Sequence, residues 1–437
     1  MKNHSFFLIS AIIVIFFTSG LSADRWKMYT NCNEINGLAI EGDSVWWATT
    51  EGIVRWNRQD GTYEQYTALD YRTTFEFNTV ATDTEGIKWF GGAMGRKLND
   101  LRRIVSFDGA VWRTHGINSG KINSIVCDQN GVKWFASDAT TNGGVERLDG
   151  STWTTFSEFR WYKAYDVAVD GKNIKWFASD KGLWSFDDTT WVRYATENSG
   201  LPSEVPYTTE NSGLPSDKIR SLAFDEKNGV LWIGFLGGVA SFDGQEFTTY
   251  TEEDGPVSVS EVVTAISVDP YGVPWFGTYH GLWSFDGTNW TTFTTDNSGL
   301  PDNQIRTVLA EEDGSLLISA SDSYGFGTPK YGLTRFDGDT WTTIKLPGIQ
   351  GNDIYAIAVD HDNVKWISTG NDMGLSRFDG LTWTIYTGKD GMVSSSFLAI
   401  AVDHDDVKWF GAGMAFAALT GHHGNHIRLK TGPEKSR

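Results

Sequence analysis

Short apolar runs separated by Gly, Asn, Asp and Ser recur along almost the whole chain, and one Trp-bearing run returns at near-constant spacing. Aligned, the segments SVWWATTEG, IKWFGGAMG, VKWFASDAT, IKWFASDKG, VLWIGFLGG, VPWFGTYHG, SLLISASDS, VKWISTGND and VKWFGAGMA form one column. It holds Trp46, Trp89, Trp134, Trp176, Trp232, Trp275, Leu317, Trp366 and Trp409, with gaps of 43, 45, 42, 56, 43, 42, 49 and 43. A fixed period of this size marks a repeat architecture. The long gap contains a local duplication, because TENSGLPS at 196–203 returns at 209–216. Loop-closure entropy grows only logarithmically with length, so such an insertion in a connection is tolerated.

Each unit carries four short apolar segments. The first ends in an acid in all nine units: Glu41, Asp83, Asp128, Asp170, Asp225, Asp269, Glu311, Asp360 and Asp403. A tight turn follows, ending in a residue that tolerates a left-handed backbone (Gly86, Gly131, Asn173, Gly229, Gly272, Gly314, Asn363, Asp406), and the acid can accept bonds from the turn amides. The second segment holds the Trp. The third ends in FDG in five units, and Asp-Gly before another apolar run predicts a hairpin into the fourth. Four antiparallel strands per unit describe a propeller blade. Segments apolar on both faces fit, because a blade packs against a neighbour on each side. The ninth unit lacks FDG and a fourth strand, while DRWKMYT at 24–30 resembles an orphan fourth strand. The pattern therefore predicts an all-β chain forming a single β-propeller of nine four-stranded blades, with eight as the alternative count. Residues 24–30 would complete the last blade with 396–421 and tie the ring shut.

The remaining organisation is simple. Lys2, the apolar run Phe6–Phe17 and the small polar stretch up to Ala23 read as a secretory signal peptide over residues 1–23. The propeller then spans 24–421, and 422–437 reads as an irregular tail. A net charge of −19 opposes binding to nucleic acid or to an anionic membrane surface. Cys32 and Cys127 are too few for a disulfide scaffold and read as unpaired thiols, so stability must come from packing. The Trp column recurs in register and is therefore blade core; function is to be sought where the repeat departs from itself.

The phrases NSGLPDNQIRTVLAEEDGSLLISASDSYGFGTPKYGLTRFDG and VDHDNVKWISTGNDMGLSRFDGLTWTIYTG resemble the two-component regulator propeller repeat. The resemblance covers residues 24 to 421. It implies a propeller facing the periplasm or exterior, like the ligand-sensing propellers of bacterial hybrid sensor proteins, which often bind carbohydrate-derived ligands. Here it is read as a free-standing exported chain.

Two features locate a candidate site. The loop into the first strand and the loop between the second and third open on one face of a blade. Insertions concentrate there, with Arg96 and Lys97, Tyr279 and His280, and Tyr324 as loop candidates. Five residues before the terminal acid, the first strand varies among Asn36, Asn78, Asn123, Tyr165, Arg220, Thr264, Arg306, Tyr355 and Leu398. Six residues before it the chain is always apolar, and three before it always Leu, Ile or Val. The variable column would line the mouth of the channel, where Asn, Arg and Tyr suit hydroxyls and carboxylates of a sugar acid or peptide.

Catalytic signals are weak. Propeller lyases related to streptogramin lyase use a His with acidic partners and a metal; His115 and His280 are placed in loops on the candidate face, but no Glu joins them in the variable column. Asp360-His361-Asp362 occupies the tight turn and follows turn chemistry, so no metal site is assigned, and no cofactor is implied. The chain is thus expected to be a monomeric, exported, non-enzymatic binding or sensing propeller for a small polar or carbohydrate-derived ligand. A protein–protein scaffold of the envelope or exterior is the alternative, and a lyase or glycan-cleaving enzyme the second.

Overall fold

The computed structural model describes residues 32, 34–71, 75–94, 102–116, 120–138, 143–195, 216–250, 255–256, 261–320, 332–344, 354–369, 374–386, 397–402, 406–411 and 416–419. Nine antiparallel sheets are present, eight of four strands and one of three, each an up-and-down meander in sequence order. The first contains Ile35–Glu41, Ser44–Thr49, Gly52–Asn57 and Tyr63–Tyr66; the ninth contains Ala399–Val402, Lys408–Gly411 and Phe416–Leu419. Helix among the described residues is limited to Ala68–Tyr71 and a 3-10 turn at Ser157–Phe159, and none is long and apolar enough to cross a membrane.

The turn chemistry forms as the sequence predicts. The eight turn residues from Gly86 to Asp406 all have positive φ, between +62° and +87°. At Asp128, Oδ1 accepts from the N–H groups of Asn130 (2.9 Å) and Val132 (3.0 Å). Its other oxygen does something the turn argument did not foresee: it accepts the indole N–H of Trp134 at 3.0 Å. Asp83, Asp170, Asp269 and Asp360 hold Trp89, Trp176, Trp275 and Trp366 in the same way. One acid thus shapes the hairpin and fixes the core indole above it. Sheet five breaks the pattern, because its turn is one residue longer. Asp225 is occupied by Lys227 and Asn228, and the buried indole N–H of Trp232 has no hydrogen-bond partner.

Sheets pack through these aromatics. Trp46 meets Phe90 of the next sheet edge-on at 6.0 Å, as Trp134 meets Phe177 and Trp232 meets Phe276. Each such Trp buries roughly 200 Å², worth up to about 5 kcal/mol gross. The Lys that precedes the Trp reaches back to the acid of the previous sheet. Lys88 pairs with Glu41, Lys133 with Asp83 at 3.0 Å, and Lys175 lies 3.9 Å from Asp128. Each ammonium also sits over the preceding Trp ring, at 5.3 to 5.6 Å.

The chain divides into two units. In the unit of Cys32–Ser323 and Tyr331–Lys345, the first strands of sheets one to seven lie side by side in order, and Ile305–Ala310 of sheet seven lies against Ile35–Glu41 of sheet one. The seam is bonded: Ser319 Oγ donates to the Ile35 carbonyl at 2.6 Å, and Arg58 pairs with Glu311 at 2.5 Å. Within this unit sheet seven therefore meets sheet one. At this contact Leu317 stands in the Trp column without an indole N–H. Glu311, freed from that partner and buried, gives one oxygen to Arg58 of sheet one and the other to Arg335 at 2.8 Å.

Sheets eight and nine belong to the second unit, within Leu346–Arg437. They repeat the same packing around Val364, Trp366, Leu375, Phe397 and Phe410, with Lys408 paired to Asp360 at 3.2 Å. The signal segment 1–23, the proposed closing strand 24–30, the duplicated phrase up to residue 215 and the tail 422–437 lie outside the described residues.

Candidate ligand-binding face

The variable column has a structural cause. In each of sheets one to eight, the register between the first and second strands shifts at that residue: between Ile35 and Gly37, Phe77 and Thr79, Ile122 and Ser124, Ala164 and Asp166, Ile219 and Ser221, Val263 and Ala265, Ile305 and Thr307, and Ile354 and Ala356. Each variable residue is the extra residue of a β-bulge, released from the ladder and re-aimed. The bulge is what allows the apolar residues on either side of it, three apart, to face the same core. Ile35, Phe77, Ile122, Ala164, Ile219, Val263 and Ile305 are all fully buried.

Four of the eight bulge side chains serve as clasps between sheets. Asn36 Nδ2 donates to the Phe77 carbonyl (2.9 Å), Asn78 to that of Ile122 (3.1 Å), Asn123 to that of Ala164 (2.9 Å), and Thr264 Oγ1 to that of Ile305 (2.6 Å). Ser221 does the same for Val263 from one position later. Between sheets four and five the clasp is inverted: the carboxylate of Asp166 accepts from the Leu222 N–H at 2.8 Å. Burial pushes Asp166 up to about 6, against the pull of its bonds from Ser124, Leu222 and Val167.

Five of the named residues converge. Asn36, Asn78, Asn123, Thr264 and Arg306 line one cavity of about 260 Å³. Tyr279, a loop candidate, joins them, as do Lys121, Gln304 and Ile305, which the sequence reading missed. Because the Asn amides spend an N–H on the clasp, their carbonyl oxygens remain as acceptors. That of Asn36 takes a long bond from Arg306 at 3.4 Å. Arg306 also pairs with Glu34 at 2.9 Å. The wall thus offers amide acceptors, a hydroxyl, a phenol and two cations, with no carboxylate among the lining residues.

The other candidates fall elsewhere. Arg220 stacks its guanidinium 4.1 Å above the Tyr165 ring, and neither lines the cavity. Tyr355 lies in the second unit and is about half exposed. Arg96, Lys97 and Tyr324 lie outside the described residues. His115 is not in a loop: it sits in the strand Trp112–Gly116, bonded to Ser106 Oγ at 2.8 Å and 4.9 Å from the Trp89 ring, where burial lowers its pKa. His280 is in the turn next to Tyr279. Its Nδ1 meets the buried carboxylate of Glu261 at 2.6 Å, while the imidazole is 73% exposed. The other Glu261 oxygen accepts from the Tyr279 N–H at 3.1 Å. The absence of Glu from the bulge column was correctly read, but a Glu reaches His280 from the loop entering sheet six.

No family model matches the chain, and no curated protein matches it. Solved structures do. The chain is similar to virginiamycin B lyase from Staphylococcus aureus, at 11% identity over 67% of this chain and 95% of that one, with a TM-score of 0.51. A streptogramin B lyase structure gives the same TM-score at 14% identity, over 66% of this chain and 91% of that one. At these identities the likeness is one of fold. The extracellular domain of a putative hybrid two-component system from B. thetaiotaomicron matches over 94% of this chain at 15% identity, with a TM-score of 0.31. The chain spans 60% of the length of that domain, and 60% of a putative one-component system domain matched at 14% identity.

Proposed function

We propose that this chain is an exported, non-enzymatic propeller that binds or senses a small polar ligand, carbohydrate-derived, at the strand-entrance face of the larger unit. The observation that carries the reading is the cavity itself. Five bulge residues from five different sheets, with Lys121, Gln304 and Tyr279, bring acceptors, donors and two cations around a space of sugar size. The cations Lys121 and Arg306 favour a carboxylated sugar. The test is a thermal-shift screen of residues 24–437 against plant, algal and bacterial oligosaccharides and their sugar acids. A ligand at a hundred times its Kd stabilises the native state by about 2.7 kcal/mol. Arg306→Gln and Lys121→Gln should each weaken binding about tenfold. A ligand that binds both variants as it binds the parent would remove this site.

A single observation favours a second reading, a lyase or glycan-cleaving enzyme. The buried Glu261 bonds His280 at Nδ1, and the exposed imidazole lies next in sequence to a cavity-lining Tyr. That is the arrangement of a general base. Incubating the chain with any sugar found in the screen, followed by mass spectrometry, decides it. Cleavage that disappears in His280→Gln supports the enzyme; an unchanged sugar refutes it.

A further inference from the structure

Among the described residues one Trp is exposed, and it is not part of the repeat. Trp161 lies in the connection into sheet four and is 61% exposed. Its φ is +70°, a left-handed conformation that a bulky side chain rarely adopts. The connection is anchored. Phe159 in the 3-10 turn is fully buried, the Tyr162 N–H bonds the Phe159 carbonyl at 2.9 Å, the Lys163 N–H donates to the Asp180 carboxylate at 3.0 Å, and the Asp180 N–H donates to the Lys163 carbonyl at 3.2 Å. A firmly held segment thus displays a flat indole to solvent, with the Arg160 guanidinium 5.8 Å from the ring centre.

This platform is coupled to the cavity by short steps. Asn123, a cavity residue, donates to the carbonyl of Ala164, three residues after Trp161, and also to Asp138, which lies 3.9 Å from the Lys163 ammonium. Three residues span no more than about 11 Å between Cα atoms. The Trp161 backbone therefore lies within about 11 Å of the residue whose carbonyl Asn123 holds.

We infer that Trp161 is a stacking subsite for a second sugar ring, so that the ligand is an oligosaccharide running from the cavity onto the indole. The apolar face of a pyranose covers an indole, while its hydroxyl edge is left to donors such as Arg160 and Lys163. This rests on the cavity reading, which supplies the first subsite.

The experiment uses the full chain and isothermal titration with galacturonic acid, its linear tetramer, galactose and its linear tetramer. The expected result is that one tetramer binds at least tenfold more tightly than its monomer. Trp161→Ala should abolish that gain, leave monomer affinity unchanged, and be largely rescued by Trp161→Phe. Tetramer binding that needs Arg306 but not Trp161 overturns the stacking subsite alone. Binding that needs Trp161 but not Arg306 overturns the cavity reading. Failure of all four sugars, with an exported or envelope protein captured through Trp161 instead, overturns both.

Discussion

Replacing Glu311 by Gln tests whether sheet seven is held to sheet one by side-chain electrostatics. The Glu311 side chain is 2% exposed and receives Arg58 at 2.5 Å and Arg335 at 2.8 Å, each Arg side chain about one-third exposed. Breaking a buried pair from one side typically costs about 3–5 kcal/mol. Here water reaches both guanidinium groups and screens what is left unpaired, which brings the expected loss to about 2–3 kcal/mol. For a unit of this size each kcal/mol moves the midpoint by about 2–4 °C, so Glu311→Gln should lower Tm by about 4–12 °C. The assay is calorimetry of the full chain, following the transition of the larger unit. Arg58→Ala should cost a comparable amount, and the double variant clearly less than the sum, because both remove one interaction. A shift below 1 °C, or strict additivity, would refute the argument that Glu311 joins sheet seven to sheet one.

Three further outcomes follow from other sites. Asp166 has its folded pKa raised from 3.8 to about 6, so its contribution favours folding below about pH 4 and is lost as pH rises through about 6. Asp166→Asn should therefore gain stability relative to the parent between pH 4 and 6, by up to about 3 kcal/mol, and a parent-minus-variant denaturation difference that is flat with pH contradicts this. Trp134→Phe breaks an indole bond to Asp128 whereas Trp232→Phe breaks none, so the first should cost about 1.5–3 kcal/mol more than the second in urea titrations. Asn78→Ala removes a clasp to Ile122 and should cost about 1 kcal/mol; no change would show that the clasp contributes nothing.

Sheet number, strand order and turns were legible because each rests on local chemistry repeated nine times. Gly131 and Asn173 tolerate the left-handed turn, Asp128 accepts the turn amides, and the Trp column keeps its spacing. Which sheet meets sheet one was not legible in the same way. The one available signal was the gap in the Trp column at Leu317, together with an Arg at position 58. The bulge was also present in the pattern. Buried positions three apart, such as Ile122 and Ile125, cannot share a face in a strand of period two without an extra residue between them. The cavity followed in part: Asn36, Asn78, Asn123, Thr264 and Arg306 were identified from their variability. Lys121 and Gln304 were not, because they sit just before strands whose direction sequence alone does not set. Arg220 stacks on Tyr165, and neither lines that cavity.

The bulges have a consequence for how such a protein can change over time. A residue outside the ladder can be exchanged without shifting the register of its sheet, losing at most the clasp it makes to the next one. Each blade then offers one replaceable letter, backed by a core that stays the same. Seven such letters give a large vocabulary of surfaces on one unaltered frame, so related chains can diverge in what they recognise far faster than in how they fold.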